Sequence, residues 1–289
     1  MSSYSITGYF MKTIAYAATL IALLSGSAHA ADLYRKAPPA PVNPVASWTG
    51  FYAGVNVGGG WSNTDVGYGT TDPVVAVFFA TFGVDLPANG DRTGSSGVLG
   101  GVQIGYNYQF RPTWVAGVEA DFQFASINGS GSTSYVGGLA LSSASQDIQH
   151  FGTVRARLGY LATDSLMVYA TGGFAYAQLN NAAAMTVAPG ATVNLIGGVG
   201  TSTNCGGAFP NTCFIGSSNS LTPGWTAGGG LEYALGQNWS LKGEYLYAHF
   251  EQTVTAAAAT PTAGTLPNTY TAKFATDLHI ARVGLNYRF

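Results

Sequence analysis

The sequence contains little charge. Asp, Glu, Lys and Arg make up 8% of its 289 residues, and the formal net charge is −2. Ordinary soluble domains carry about 25% charged residues, so the apolar side chains of this chain need a solvent other than water. No basic segment stands out, which argues against nucleic-acid binding. Disorder is excluded as well, because 13% of the residues are aromatic.

Long apolar runs are also lacking. A membrane-spanning helix needs about 20 consecutive apolar residues, whereas the candidate run Ile14–Leu24 has only eleven. Lys12 precedes this run, and Ala28, His29 and Ala30 follow it. A basic start, a short apolar segment and a small-x-small site predict a signal peptide over residues 1–30 that is cut after Ala30. Met11 is a second candidate start.

Proline is concentrated in one segment, residues 31–47, which contains Pro38, Pro39, Pro41 and Pro44. Such a segment favours extended geometry and predicts a linker or a peripheral arm. With the signal peptide assigned to residues 1–30, the folded domain is expected over residues 48–289.

From Thr49 onward, apolar and polar residues alternate with period 2, which predicts β-strands. Eight such segments can be counted, and connections of two kinds join them. Short turns lie at residues 111–113, 162–165 and 237–238, and long segments lie at Ser62–Ser96, Asn128–Gln146, Asn180–Thr222 and Val254–Lys273. This alternation predicts an all-β, eight-stranded antiparallel up-and-down transmembrane barrel with short periplasmic turns and long extracellular loops. The Pro-rich arm would then be periplasmic.

Two alternative folds remain open at this point. The apolar runs Val74–Val84 and Ala191–Val199 could be additional strands, which would give ten. A β-sandwich would also show period-2 alternation. The placement of aromatic residues favours the barrel, because they gather at strand ends beside short turns, as expected for a girdle at the membrane surface. These girdle residues are Tyr108, Trp114, Tyr160, Trp239 and Tyr287, with the terminal Phe289 beside them.

Nine charged residues fall on the opposite face from the apolar rows. They are Glu119, Asp121, Arg155, Arg157, Glu232, Lys242, Glu244, Arg282 and Arg288. In an eight-stranded barrel this face lines a lumen that side chains can fill. Buried charges must pair, because removing one partner costs about 3–5 kcal/mol. We therefore expect a salt-bridged plug. A narrow polar pore is the alternative.

Four segments resemble a known family. They are the predicted mature start Ala31–Leu33 followed by the Pro-rich arm, then Trp48–Gly54, Val168–Tyr176 and the terminal Arg282–Phe289. They are similar to small alphaproteobacterial surface-antigen barrels, the outer membrane immunogenic or porin-family proteins, which are related in architecture to the OmpA transmembrane domain. The resemblance implies an eight-stranded barrel in the cell outer membrane and no reaction. Phe289 resembles the signal that the outer-membrane assembly machinery reads.

Few residues suggest chemistry. Cys205 and Cys213 lie in one predicted loop of an exported chain and predict a disulfide rather than a metal or redox site. The histidines that follow the signal peptide lack the motifs of hydrolases, so we expect interfacial side chains and no enzyme. No cofactor or metal motif is present. Four acids in the first long segment fit no calcium motif and are expected to be solvated. The histidines are His150, His249 and His279, and the acids are Asp65, Asp72, Asp85 and Asp91.

The expected function is therefore structural. The chain would stabilise the envelope, contact outer-membrane lipids and present its loops at the cell surface. The first alternative is a narrow channel for small solutes. The second is an adhesin or ligand-capture protein that acts through its long loops, with peptidoglycan or a host surface as candidate partners.

Overall fold

The computed structural model describes residues 47–73, 75–76, 80, 91–135, 140–187, 193–197, 201–205, 211–258 and 269–289. The predicted signal peptide and the arm up to residue 46 lie outside the described residues. No helix in these ranges is long and apolar enough to cross a membrane.

Eight long strands form a closed antiparallel barrel. Its circular order is β1, β10, β9, β8, β5, β4, β3 and β2, and β2 pairs with β1 to close the ring. The prediction of an eight-stranded up-and-down barrel is confirmed. The strands are β1 (Gly50–Gly69), β2 (Asp91–Arg111), β3 (Trp114–Tyr135), β4 (Ala140–Thr163), β5 (Leu166–Val187), β8 (Asn211–Ala234), β9 (Trp239–Ala258) and β10 (Thr269–Arg288), and two short strands, β6 (Val193–Gly197) and β7 (Thr201–Cys205), stand apart from them.

The ten-stranded alternative is wrong, because neither apolar run joins the barrel. The described positions of the first run, Val75, Ala76 and Ala80, are helical. The second run contains β6, which pairs with β7 in a separate two-stranded sheet. Both runs lie in connections between barrel strands, so the barrel keeps its even strand count.

The strands extend further than the sequence pattern predicted. The segment Ser62–Ser96 was expected to be a loop, yet β1 continues to Gly69 and β2 begins at Asp91. The other three long segments are shortened in the same way. Only the inward side of these extensions needs apolar residues, because their outer side no longer faces lipid. Several inward positions of the extensions are polar as well, such as Thr64, Ser142 and Gln146, so the alternation becomes too weak to indicate strands by sequence alone.

The two faces of the wall differ in composition. Val118, Leu158 and Leu285 are examples of apolar side chains that point outward and are exposed. The five predicted girdle residues also point outward, at the end of the barrel that carries the short turns and the C-terminus. The rings of Trp114 and Tyr160 lie 5.4 Å apart, and those of Trp239 and Tyr287 lie 5.0 Å apart. Outer-membrane barrels keep their short turns on the periplasmic side, which orients the molecule.

Two neighbouring glycines of β2 should respond differently to substitution by alanine. A Cβ atom at inward-facing Gly101 would lie 2.0 Å from the Phe122 carbonyl oxygen of β3, whereas the nearest atom to a Cβ at Gly100 would be 3.5 Å away. Gly101→Ala should therefore destabilise the barrel by about 1–3 kcal/mol. Gly100→Ala is the control and should leave stability within about 0.5 kcal/mol. Urea unfolding in lipid vesicles measures both, and equal values would contradict this packing.

Candidate functional site

The barrel interior is stacked in layers along its axis. Starting from the periplasmic end, the inward-facing residues of β9 are Ser240 and then charged, apolar, polar and again apolar residues. In order they are Ser240, Lys242, Glu244, Leu246, Ala248, Phe250, Gln252, Val254 and Ala256, all buried. On β10 the same order recurs, from Arg282 through Ile280 and Leu278 to Thr276 and Phe274. The interior is therefore a filled core in which one layer is ionic.

Arg155 lies at the centre of the ionic layer, which we call the charged layer. Its Nη2 atom lies 2.5 Å from Glu119 Oε1 and 2.9 Å from Asp121 Oδ2, and its Nη1 atom lies 3.0 Å from Glu244 Oε1. The guanidinium thus contacts three carboxylates from two sides of the barrel. A planar group with five N–H donors suits such a position.

The other cations complete the charge balance. Arg282 Nη2 lies 2.6 Å from Glu244 Oε2 and 3.1 Å from Asp121 Oδ2, and Lys242 Nζ lies 2.8 Å from Glu119 Oε1. The charged layer holds four acids and four bases, so it carries no net formal charge. Its members are Glu119, Asp121, Glu232, Glu244, Arg155, Arg157, Lys242 and Arg282.

Two tyrosines that were not among the predicted site residues contact the charged layer. Tyr52 donates a 2.6 Å hydrogen bond to Glu119 and accepts one of 2.9 Å from Arg157. Tyr169 donates to Glu244 at 2.9 Å, and its ring centre lies 4.1 Å from the Arg157 guanidinium carbon. Arg157 also pairs with Glu232 at 2.7 Å. Their period-2 position on the inward face was the signal that could have identified both tyrosines.

Arg288 does not join the charged layer, which corrects the prediction. Its guanidinium donates to the backbone carbonyls of Ser47 at 3.0 Å and Gln237 at 3.3 Å. It also lies 4.7 Å from the centre of the Trp48 ring. Arg288 is the last residue of β10, so its side chain reaches the periplasmic rim rather than the carboxylates further inside.

Trp48 closes the periplasmic end of the interior, a role that the sequence pattern did not predict. Only 1% of its surface is exposed. Its indole Nε1 donates to the Asp164 carbonyl in the turn between β4 and β5, at 3.2 Å. The ring belongs to an apolar cluster, the periplasmic cap, which consists of Trp48, Val115, Leu161, Met167, Tyr169 and Ala234.

Two apolar layers fill the interior on the extracellular side of the charged layer. The lower apolar layer includes Phe151, Leu246, Phe250, Leu278 and Ile280. A polar layer follows, in which Gln146 Nε2 donates to Thr276 at 2.8 Å and Thr64 donates to Gln146 at 2.9 Å. The upper apolar layer lies beyond it and includes Phe214, Val254, Tyr270 and Phe274. The sequence pattern predicted an ionic filling alone.

The remaining predicted residues lie elsewhere. Asp91 is not solvated as predicted, since it is buried and accepts hydrogen bonds from Tyr68 at 2.5 Å and Ser142 at 2.9 Å. Asp65 is exposed and pairs with Arg92 at 2.8 Å. Asp72 is partly buried, and Asp85 lies outside the described residues.

The described cysteine and the three histidines lie outside the charged layer. Cys213 is buried and disulfide-bonded. Its pairing with Cys205, the other cysteine of the sequence, stays a prediction because the Cys205 side chain is outside the described ones. His150 lies beside Phe122, with ring centres 5.6 Å apart, and His249 and His279 lie on the outer face of the wall. Within the part of the chain that the structure describes, no cluster of three potential metal ligands occurs.

Comparison with known proteins identifies the family. The model of the outer membrane protein β-barrel domain matches residues 18–289. The chain belongs to this family. It is 36% identical over 287 residues to the 31 kDa outer-membrane immunogenic protein of Brucella melitensis, a match that covers 96% of this chain and 100% of that protein. It is 25% identical over 285 residues to the 25 kDa outer-membrane immunogenic protein of Brucella canis, covering 96% of this chain and 99% of that protein.

The names of these relatives show in which membrane the protein lies. Both are named as outer-membrane proteins, and neither name denotes an enzyme. The chain is an outer-membrane β-barrel that is in contact with membrane lipids, and it belongs among alphaproteobacterial surface antigens. Among solved structures, the outer membrane protein OprG of Pseudomonas aeruginosa is similar, with a TM-score of 0.41 and 12% identity over 83% of this chain and 96% of that one.

Proposed function

We propose that this protein is a sealed structural barrel that stabilises the outer membrane and presents its extracellular loops at the cell surface. The observation that carries the proposal is the layered interior. The lower apolar layer lies directly against the charged layer, and Phe151, Leu246, Phe250 and Leu278 in it are each 0% exposed. Ions and polar solutes do not cross a dry apolar constriction, because it offers nothing to replace their hydration.

The charged layer supports the same role. Every cation in it lies within 3 Å of a carboxylate oxygen, and the groups come from strands on several sides of the barrel. Buried ion pairs that join distant strands can fix strand register, since a slip by one residue would turn each charge toward lipid. We propose that the layer serves this purpose rather than ion passage.

The C-terminal residue is a candidate contact for the assembly machinery. Phe289 is 77% exposed, and its N–H donates to the Phe51 carbonyl at 3.0 Å, across the seam where β10 meets β1. We propose that the assembly machinery binds Phe289 before this seam closes.

The alternative of ligand capture through loops, with peptidoglycan or a host surface as partner, depends mainly on residues outside the described ranges, and no observation here favours it.

Electrical recording in planar bilayers separates the plug from a narrow channel. We expect no steady conductance from the refolded protein, because the apolar layers and the periplasmic cap close both sides of the charged layer. Steady conductance that changes in Arg155→Ala or Glu244→Ala would support the channel and contradict the plug. Anomalous gel mobility before boiling serves as the control that each sample contains a folded barrel.

A further inference from the structure

A second group of aromatic side chains lies on the outer surface of the barrel, at the opposite edge of the lipid-facing zone from the periplasmic girdle. We call it the His–aromatic patch. On β10, His279 and the periplasmic girdle residue Tyr287 are eight residues apart, which corresponds to about 26 Å along a strand and, with the usual strand tilt of about 40°, to about 20 Å of the roughly 25 Å apolar band. The patch therefore lies near the outer boundary of the membrane. It consists of Trp61, Trp225, Tyr245, Tyr247, His249, Asp277 and His279, and the Trp225 ring lies 5.2 Å from that of Tyr247 and 6.1 Å from that of His249.

Strand register makes the patch continuous. Trp61 of β1 is directly opposite His279 of β10, and His279 is opposite Tyr247 of β9. One step toward the outside, Asp277 is opposite His249 in the same way. Directly opposed residues of neighbouring strands have Cβ atoms about 5 Å apart, so these side chains form two adjoining rows on one surface.

The side chains of the patch are held in place by one another. The rings of Trp61 and His279 stack at 5.8 Å with an angle of 11° between their planes, and a 2.6 Å hydrogen bond joins the Tyr245 hydroxyl to His279 Nδ1. Asp277 Oδ1 accepts hydrogen bonds from Tyr247 at 2.5 Å and His249 Nδ1 at 2.7 Å. Groups that are already ordered lose little conformational entropy when a ligand binds.

The surroundings of the patch favour an amphipathic ligand. On the membrane side, Gly59 and Ala281 lie beside Tyr245. Because both residues are small, the outer surface of the barrel is low next to the Tyr245 ring. On the water side, Glu251 and Lys273 form an exposed ion pair of 2.9 Å. A ligand that contacts both sides of the patch needs a hydrocarbon tail on the membrane side and a hydrogen-bonding headgroup on the water side.

The charge of the patch favours a head that is recognised by its hydroxyl groups. Asp277 contributes a carboxylate, and the cation Lys273 is already paired with Glu251. A site for phosphate would instead present arginine or lysine forks. Carboxylate and imidazole groups bind hydroxyls, and the exposed face of Trp61, which is 44% exposed, offers apolar contact to the C–H face of a sugar ring.

We propose that the His–aromatic patch binds the sugar headgroup of a glycolipid in the outer leaflet. Trp61 would stack on a sugar ring, and Asp277 and His249 would bind its hydroxyls. The acyl chain next to this sugar would lie along the low surface beside Tyr245. An aromatic girdle at this edge is common to outer-membrane barrels, and what we propose is the added recognition of a sugar by the hydrogen-bonded Asp277 and His249 within it. Failure of this recognition would leave the plug untouched.

Native mass spectrometry of the purified barrel tests the proposal. Delipidated protein is titrated with rough lipopolysaccharide and, in parallel, with phosphatidylglycerol. We expect Asp277→Asn to weaken lipopolysaccharide binding about tenfold, the loss expected for a hydrogen bond to a charged group. Trp61→Leu should weaken it by about the same factor, because it removes the aromatic surface that contacts the sugar ring. Phosphatidylglycerol binding should be unchanged in both variants. Trp239→Leu removes the same kind of side chain from the periplasmic girdle and is the matched control, for which no loss is expected.

Several outcomes would overturn the proposal. Unchanged lipopolysaccharide binding in both variants would do so, and so would an equal loss for Trp239→Leu or for phosphatidylglycerol, which would indicate general anchoring. Binding that disappears when the lipopolysaccharide is enzymatically dephosphorylated would identify phosphate as the recognised group. Heat-modifiable gel mobility checks folding, and the nearly isosteric Asp277→Asn decides the result if Trp61→Leu does not fold.

Discussion

Replacement of Arg155 by methionine should lower the free energy of unfolding by about 3–5 kcal/mol, because it leaves buried carboxylates without their shared cation. Arg155 contacts Glu119, Asp121 and Glu244, and its side chain is 0% exposed. Methionine keeps much of the volume, so the loss reports on charge rather than on a cavity. Urea titration of the barrel in lipid vesicles, followed by tryptophan fluorescence, measures the change.

An exposed arginine provides the control for this substitution. Arg92 pairs with Asp65 at 2.8 Å, but their side chains are 84% and 71% exposed. Exposed pairs contribute about 0–1 kcal/mol, so Arg92→Met should change stability by no more than that. If Arg155→Met were as mild as Arg92→Met, the charged layer would be hydrated, and the packed interior proposed here would be wrong.

Removal of the Trp48 side chain should produce the second large effect. Trp48→Ala is expected to cost about 3–5 kcal/mol, the range for a large aromatic side chain lost from a packed core. The substitution empties the centre of the periplasmic cap and removes both the hydrogen bond to Asp164 and the contact with Arg288. The same urea titration measures the loss.

Trp114 is the matched control for Trp48. It lies on the outer surface, where lipid can fill the space that alanine leaves, so Trp114→Ala should cost less than half as much as Trp48→Ala. Equal losses would mean that Trp48 acts as an interfacial anchor rather than as part of a packed cap. A gain in conductance for Trp48→Ala would instead contradict the seal, because the apolar layers above the charged layer should keep the lumen closed without Trp48.

The sequence alone was sufficient to predict the eight strands of the barrel wall and which of their residues face outward. Lipid-facing positions must be apolar, because hydrocarbon does not solvate charge. Period-2 alternation therefore separates outward residues such as Val118 from inward residues such as Glu119 without knowledge of the fold. Turn residues such as Pro112 and Asn238 divide the chain into hairpins. These signals are local, and the closed eight-stranded ring follows from them because no strand can be left with an unpaired edge in lipid.

The contents of the barrel were harder to predict, because they depend on how far each inward residue lies along the axis. Leu246 and Glu244 are inward neighbours on β9, yet they belong to different layers, and only the register of all strands places them. Arg288 illustrates the same limit. The sequence placed its side chain correctly on the inward face, but its position along the barrel axis was predicted wrongly. Trp48 precedes the first strand, where no periodicity indicates that its ring turns into the lumen.

Magnetisation transfer in solid-state NMR of the barrel in lipid bilayers tests the sealed interior most directly, because it needs no substitution. Transfer from water protons should be slow to Leu246 and Leu278 in the lower apolar layer, as slow as to the lipid-facing Val118 and Leu158. Transfer from acyl-chain protons should reach Val118 and Leu158 but not Leu246 or Leu278. Rapid transfer from water to Leu246 and Leu278 would reveal a wet lumen and contradict the plug.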